Sequence, residues 1–185
     1  AHRAGSKAMV SGNPVREDIL ALPEPQQRYA ARTGKLNLLV FGGSLGAKVL
    51  NETVPAAIAK FPLEERPIVT HQCGKNAVED VKALYAKYGV EAQVISFIDD
   101  MASAYNKADV VVCRAGATTV SELTAGGIPA IIVPFVGSTT SHQLRNARYI
   151  QAKGAGNLIE QKGVTPDDTY GQLRSPRPQH RTTTA

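Results

Sequence analysis

The chain has 185 residues, of which 43% are hydrophobic and 20% charged, as expected for one globular domain with a two-sided core. Its net charge of +5 comes from the two ends, where Arg3, Lys7, Arg174, Arg177 and Arg181 supply the excess, so a nucleic-acid-binding surface is not expected. No run approaches the roughly 18 to 20 apolar residues of a transmembrane helix, and the start lacks a signal-peptide core. We therefore expect a protein that is cytoplasmic or lies on a membrane through some other segment.

Residues 1–35 are predicted to form an entry segment. Asn-Pro at 13–14 and the prolines at 23 and 25 interrupt it, so a loop with one short helix is expected. The segment contains GNPVR, whose Arg16 is a candidate phosphate ligand. An isolated arginine is also commonly a surface charge.

Residues 36–163 alternate short β-rich runs with helical stretches. The predicted strands are LNLLVF, PIVTHQ, AQVIS, DVVVC, PAIIVPF and GNLIE. They are apolar with little alternation, which is typical of parallel strands covered by helices on both faces. We therefore predict an α/β fold with a doubly wound parallel sheet of about six strands. Residues 164–185 are poor in apolar residues and are expected to be a disordered or non-native tail.

The motif FGGSLGA, residues 41–47, lies where the first strand passes into the first helix. Its glycines, Gly43 and Gly46 among them, permit close approach of a ligand to backbone N–H groups, and Ser44 adds a hydroxyl. The loop could hold a diphosphate without a lysine, or could be a tight turn without a ligand. Because GxGxxG is absent and no acid ends PIVTHQ, a nicotinamide-dependent oxidoreductase is not expected.

A second motif, CRAGATTVSE at residues 113–122, again joins a strand end to a helix. Small residues leave room there, and Glu122, one turn into the helix, could accept hydrogen bonds from a ribose. It could equally complement the helix dipole or cap the helix with Thr119. In a doubly wound sheet this loop and the glycine loop emerge at the same edge.

A third loop, VPFVGSTTSHQ at residues 133–143, contains two polar candidates. His142 and Gln143 could contact a sugar or a phosphate. Alternatively, Ser141 caps the following helix and leaves His142 exposed. Cys73 and Cys113 lack metal-ligand spacing, so reduced thiols and no metal site are expected. His71 is interpreted as structural.

Six motifs in series, GNPVR, FGGSLGA, SFIDDM, ADVVVCRAGATTVSE, GGIPAIIVPF and HQLRNA, resemble the carboxyl-terminal domain of the MurG glycosyltransferases, over about residues 11–162. Members of this family have the two-domain GT-B fold and transfer N-acetylglucosamine (GlcNAc) from UDP-GlcNAc to undecaprenyl-linked muramyl-pentapeptide (lipid I), which completes lipid II for peptidoglycan. The resemblance implies that residues 36–163 are the Rossmann-like, UDP-sugar-binding half of a GT-B fold. It also implies that no metal or cofactor is needed.

The resemblance further implies a role for each matching residue. The backbone of Ile98 would meet the uracil, Glu122 the ribose hydroxyls, and Ser44 with the glycine amides the diphosphate. The remaining positions that would contact or line the donor are Arg16, Ala117, Thr118, Thr119, Val120, Ser121, His142 and Gln143. His142 occupies a position that is often glutamine or histidine in the family.

The catalytic base and the lipid I site of the family belong to an amino-terminal domain that this sequence does not contain. We therefore expect the chain to bind UDP-GlcNAc without transferring sugar, and the catalytic residues to lie elsewhere. The full-length protein would be peripheral on the cytoplasmic face of the bacterial inner membrane. The alternative hypothesis is a non-catalytic nucleotide-binding or interaction module with the same fold.

Overall fold

A computed structural model describes residues 13–30, 32–135 and 141–174. The six strands are β1 (Asn37–Phe41), β2 (Ile68–Gln72), β3 (Gln93–Ile95), β4 (Val110–Cys113), β5 (Ala130–Ile132) and β6 (Gly156–Leu158). The α-helices in these ranges are α1 (Glu17–Leu20), α2 (Pro25–Ala30), α3 (Lys48–Ala59), α4 (Val78–Lys87), α5 (Met101–Lys107), α6 (Ala117–Ala125), α7 (Ser141–Ala152) and α8 (Pro166–Arg174). None of them is long and apolar enough to cross a membrane.

The strands form one parallel sheet in the order β3-β2-β1-β4-β5-β6. The chain runs outward from β1 to β3, returns to the centre at β4 and then runs outward on the other side. This confirms the predicted doubly wound sheet of six strands. The reversal leaves a crevice between the carboxyl ends of β1 and β4, which is where ligands of such sheets bind.

The sheet separates two apolar cores. In β1, Leu38 and Val40 face α3, α4 and α8, whereas Leu39 and Phe41 face α1, α5, α6 and α7. Successive side chains of a strand point to opposite faces, so a strand covered on both sides must be apolar throughout. Each large apolar side chain buried in this way contributes about 1.5 to 3 kcal/mol.

The entry segment packs against the sheet domain. Ile19 of α1 is buried in the core on the α6 face. The Arg28 guanidinium of α2 donates to the carbonyl oxygens of Gly126 and Gly127, just after α6. Cations are favoured at a helix C-terminus because unpaired carbonyl groups converge there. These contacts hold the entry segment next to α6.

Residues 166–174 form helix α8, which corrects the expectation that order ends at residue 163. The hydroxyl oxygen of Thr165 accepts a hydrogen bond from the Asp168 N–H at 3.0 Å, an N-terminal cap. Asp167 and Asp168 lie in the first turn and Arg174 in the last, as the helix dipole favours. Residues 175–185 lie outside the described part of the chain.

Two large side chains of α8 pack against the domain, and Thr169 beside them is buried. Leu173 is 9% exposed and belongs to the core on the α3 face. The ring of Tyr170 packs edge-to-face on Phe61, with 4.8 Å between ring centroids. Residues 170 and 173 are three positions apart, so they share one helical face. Because this stretch contains few apolar residues, its composition did not predict a helix that packs on the domain.

The packing of α8 predicts that Leu173→Ala lowers the free energy of unfolding by about 2 kcal/mol, because it removes buried methyl groups and leaves a cavity. Urea unfolding followed by circular dichroism measures this. Asp167→Ala is the matched control, since its ion pair with Lys60 is largely exposed and should contribute little. Equal stability of the Leu173→Ala variant and the wild type would contradict the packing.

Candidate functional site

A cleft of about 630 Å³ opens at the carboxyl edge of the sheet, where the strand order reverses. Its walls come from the β1–α3 loop, the start of α6, the end of β5 and the start of α7. Five predicted site residues line it together: Gly43, Ser44, Gly46, Thr119 and Gln143. The structure therefore brings the three sequence motifs to one place.

Three glycines shape the β1–α3 loop. Gly43 and Gly46 have φ of +91° and +76°, values that favour glycine. A Cβ at Gly42 would collide with the backbone nitrogen of Ala47, and one at Gly46 with the carbonyl oxygen of Cys73. The loop is thus pressed against its own helix and against the end of β2. The loop and the first turn of α3 line the cleft, an arrangement that suits an anion. Two of the loop N–H groups are used within the protein: Gly42 donates to Oε1 of Gln72 and Gly46 to the carbonyl oxygen of Gly43.

The loop after β4 contributes fewer side chains than predicted. Thr119 lines the cleft, whereas Ala117 and Thr118 are exposed outside its lining. Val120 is buried in the core, and its N–H and carbonyl oxygen are hydrogen-bonded to Gly116 and Thr124. The Ser121 hydroxyl donates to the carbonyl oxygen of Ala117 within the same helix turn.

Glu122 and Arg16, predicted as separate donor contacts, lie next to each other. Glu122 is 6% exposed, and its carboxylate accepts from the Tyr105 hydroxyl at 3.1 Å. Its other oxygen lies 3.4 Å from Nε of Arg16, whose side chain is 48% exposed. Burial is the main cause that raises the pKa of Tyr105 far above its usual range, and the neighbouring Cys113 and Glu122 raise it further. Tyr105 therefore remains a hydrogen-bond donor to Glu122.

Arg114, which the sequence analysis did not single out, lines the cleft opposite the glycine loop. Its guanidinium donates to the Gln161 side chain at 2.7 Å and to the carbonyl oxygen of Val133 at 3.2 Å. It also lies 5.4 Å from the centre of the Phe135 ring. Burial lowers its pKa, but an arginine stays charged at neutral pH. The signal in the sequence was a cation directly after an apolar strand.

The other predicted residues occupy different positions around the cleft. The Gln143 side chain accepts from the Phe135 N–H at 2.8 Å, while His142 is exposed and does not line the cleft. Ile98 packs against the α5 and α6 core, so only its backbone could meet a ligand. The segment 136–140 and a cap by Ser141 lie outside the described structure.

A buried polar network between β2, α3 and α4 holds the backbone against which the glycine loop packs. His71 contacts the Tyr85 hydroxyl at 2.9 Å through Nδ1 and Oδ1 of Asn51 at 3.1 Å through Nε2. The Asn51 amide donates to the carbonyl oxygen of Cys73, the atom against which Gly46 packs. Because Oδ1 of Asn51 is an acceptor, Nε2 of His71 carries the proton. The interpretation of His71 as structural is confirmed.

Both cysteines are buried free thiols. Within the described ranges, no group of three or more His, Cys, Asp or Glu side chains is arranged to hold a metal ion. The polar groups in the cleft lining are backbone groups, hydroxyls, side-chain amides, the Arg114 guanidinium and the Lys48–Glu52 ion pair.

A doubly wound parallel sheet with two glycine-containing strand-to-helix loops at its reversal point defines a Rossmann-like α/β domain. Residues 37–179 match the model of the glycosyltransferase family 28 C-terminal domain, and the chain belongs to that family. The match extends over α8, which agrees with the packing of that helix.

Similar proteins agree with this assignment. The chain is 53% identical over 162 residues to a UDP-N-acetylglucosamine--N-acetylmuramyl-(pentapeptide) pyrophosphoryl-undecaprenol N-acetylglucosamine transferase from Janthinobacterium sp. (strain Marseille), covering 88% of this chain and 45% of the relative. It is 52% identical, with the same two coverages, to the transferase of the same description from Herminiimonas arsenicoxydans.

The crystal structure of MurG from Acinetobacter baumannii superposes with a TM-score of 0.77 at 39% identity, covering 84% of this chain and 45% of that one. These likenesses confirm the resemblance to the MurG carboxyl-terminal domain and the GT-B type of fold. The chain spans about half the length of the curated relatives it matches.

The buried network predicts a pH dependence of stability. Burial lowers the pKa of His71 from 6.5 to about 4. Between these values the unfolded chain binds a proton that the folded chain does not. The free energy of unfolding should therefore fall as the pH falls from about 6.5 to 4, by about 3 kcal/mol in total from this group.

His71→Gln keeps one donor and one acceptor and removes the titration, so its stability should depend less on pH over this interval. Urea unfolding at pH 7, 5.5 and 4.5 measures the difference from the wild type. His142→Gln, at an exposed position, serves as control and should follow the wild type. Parallel loss of stability in wild type and His71→Gln would contradict the assigned pKa.

Proposed function

We propose that the chain binds UDP-GlcNAc as the donor half of an enzyme that transfers GlcNAc to lipid I in peptidoglycan synthesis. The observation that carries the proposal is the cleft at the β1/β4 reversal, between a glycine loop and the start of α6, in a chain of this family. The relatives' names state the same transfer. The chain covers 45% of the length of each of these relatives. The activity of the whole protein is therefore part of the proposal.

The diphosphate of the donor would lie against the β1–α3 loop. The loop amides, the N-terminus of α3 and the Ser44 hydroxyl supply donors on one side, and Arg114 supplies a fixed positive charge on the other. Sugar transfer releases UDP, so negative charge develops on the diphosphate as the glycosidic bond breaks. Donors held in place before the reaction stabilise that charge without reorganising.

The ribose would take the position next to Glu122. Tyr105 holds one carboxylate oxygen from inside the domain, which leaves the other oxygen directed towards Arg16. A ribose hydroxyl that donates to this oxygen replaces the long contact with Arg16, whose half-exposed guanidinium is then free to pair with a phosphate. The uracil would meet the backbone of Ile98, with Gln143 near the sugar.

The acceptor hydroxyl needs a base, which we assign, together with the lipid I site, to another domain of the complete protein. This chain should bind the donor without transferring it. The undecaprenyl acceptor named for the relatives favours a peripheral position of the complete protein on the cytoplasmic face of the inner membrane. Transfer restored by a supplied amino-terminal domain would separate this function from a non-catalytic nucleotide-binding module.

The ribose assignment predicts that Glu122→Gln weakens UDP-GlcNAc binding about tenfold, because a charge-assisted hydrogen bond becomes a neutral one. The substitution keeps the size of the side chain and an acceptor for Tyr105. Calorimetric titration without added metal measures the affinity, and Glu79→Ala on the remote helix α4 is the control. Binding of NAD as tight as that of UDP-GlcNAc, or no binding by a folded wild type, would contradict the proposal.

The diphosphate assignment predicts that Arg114→Met weakens UDP binding by about tenfold or more, since one charge-assisted contact is lost. Arg66→Met is the matched control. Arg66 is also partly buried and donates to backbone carbonyl oxygens, but it lies at the opposite edge of the sheet. If both variants bind UDP like the wild type, Arg114 has no role in holding the diphosphate.

A further inference from the structure

Gln72, the last residue of β2, uses its whole side-chain amide in hydrogen bonds. The residue is 3% exposed. Its Oε1 accepts from the Gly42 N–H at 3.3 Å, and its Nε2 donates to the carbonyl oxygens of Gly43 and Ser96, each at 3.0 Å. An amide has one acceptor oxygen and two N–H donors, so the three contacts use both of its ends.

These hydrogen bonds connect two loops that follow different strands. Gly42 and Gly43 belong to the glycine loop after β1 and line the cleft. Ser96 begins the loop after β3, which contains Ile98 two residues later. Because β2 lies between β1 and β3 in the sheet, a side chain at its end reaches both neighbours. Gln72 therefore sets the spacing between the two loops.

Glutamine is suited to this position for a chemical reason. A glutamate there would offer only acceptors and would place a negative charge against two carbonyl oxygens. A methionine has a similar length but makes none of the three hydrogen bonds. An amide NH₂ group provides two N–H donors, one for each of the carbonyl oxygens of Gly43 and Ser96.

We propose that Gln72 is a positioning residue for the donor nucleotide, which holds the diphosphate loop and the uracil-contacting loop at a fixed distance before the ligand arrives. The proposal rests on the proposed function, since it assumes one ligand that reaches both loops. Such a ligand gains affinity from loops ordered in advance, because ordering them upon binding would cost free energy. A ligand that contacts one loop alone gains less.

The test uses the full 185-residue chain and the variant Gln72→Met. Hydrogen exchange measured by mass spectrometry should be about tenfold faster in residues 42–46 and 96–98, with β4 unchanged. Calorimetry should show UDP binding weakened about tenfold, while pyrophosphate, which can occupy only the diphosphate loop, changes less than about twofold. A general loss of structure would instead affect β4 and both ligands.

Thr70→Val is the matched control. It removes a side-chain hydrogen bond between β2 and β3, from Thr70 to Gln93 at 3.4 Å, two residues before Gln72 and away from the cleft. It should leave loop exchange and both affinities unchanged. Gln72→Asn, which keeps the amide but is too short to reach both loops, replaces Gln72→Met if that variant does not fold.

Unchanged exchange of either loop in the Gln72 variants would overturn the proposal. So would faster exchange of both loops with unaltered UDP affinity, or an equal loss of UDP and pyrophosphate binding. If the folded wild type binds no UDP while both loops of the variant exchange faster, the proposed donor function fails. The role of Gln72 in holding the loops then stands.

Discussion

The direct contact between the backbones of Gly46 and Cys73–Gly74 is the constraint on which the cleft depends. A Cβ at Gly46 would collide with the Cys73 carbonyl oxygen, and one at Gly74 with the Leu45 carbonyl oxygen. The glycine loop therefore lies directly on the end of β2. Asn51 of α3 donates to the same Cys73 oxygen, so the helix whose N-terminus faces the cleft is anchored at this point too. The orientation of the loop backbone towards an anion is therefore fixed by its packing against Cys73 and Gly74, and not by the loop sequence alone.

Charged groups of both signs lie in and near the cleft, and Lys48 and Glu52 in its lining form an ion pair within α3. Arg114, held by Gln161 and the Val133 carbonyl, provides a positive charge near the glycine loop. Glu122 is buried outside the cleft lining, with Tyr105 and Arg16 as its partners. A buried carboxylate without partners would be costly, so this pair stabilises the site while no ligand is bound.

The parts of the structure that follow from local patterns were predictable. Strands buried on both faces are apolar throughout, and glycines at strand ends mark the loops, so the sheet, its strand number and the motif positions were correct. Contacts between distant parts of the chain left no such pattern. Nothing in the sequence connects Arg16 with Glu122, and Gln72 resembles any polar residue at a strand end. Helix α8 was missed because its packing face consists of few residues, Thr169, Tyr170 and Leu173, which composition does not show.

The packing of the entry segment decides where this domain can be divided. Arg16 directly precedes α1, Ile19 fills the core under α6, and Arg28 binds the carbonyl end of α6. A recombination or truncation at residue 36 would fall directly before β1. It would remove the cation beside Glu122 and expose the core that Ile19 covers. Chimaeras between relatives should therefore be joined before residue 13, so that the entry segment and the sheet come from the same parent.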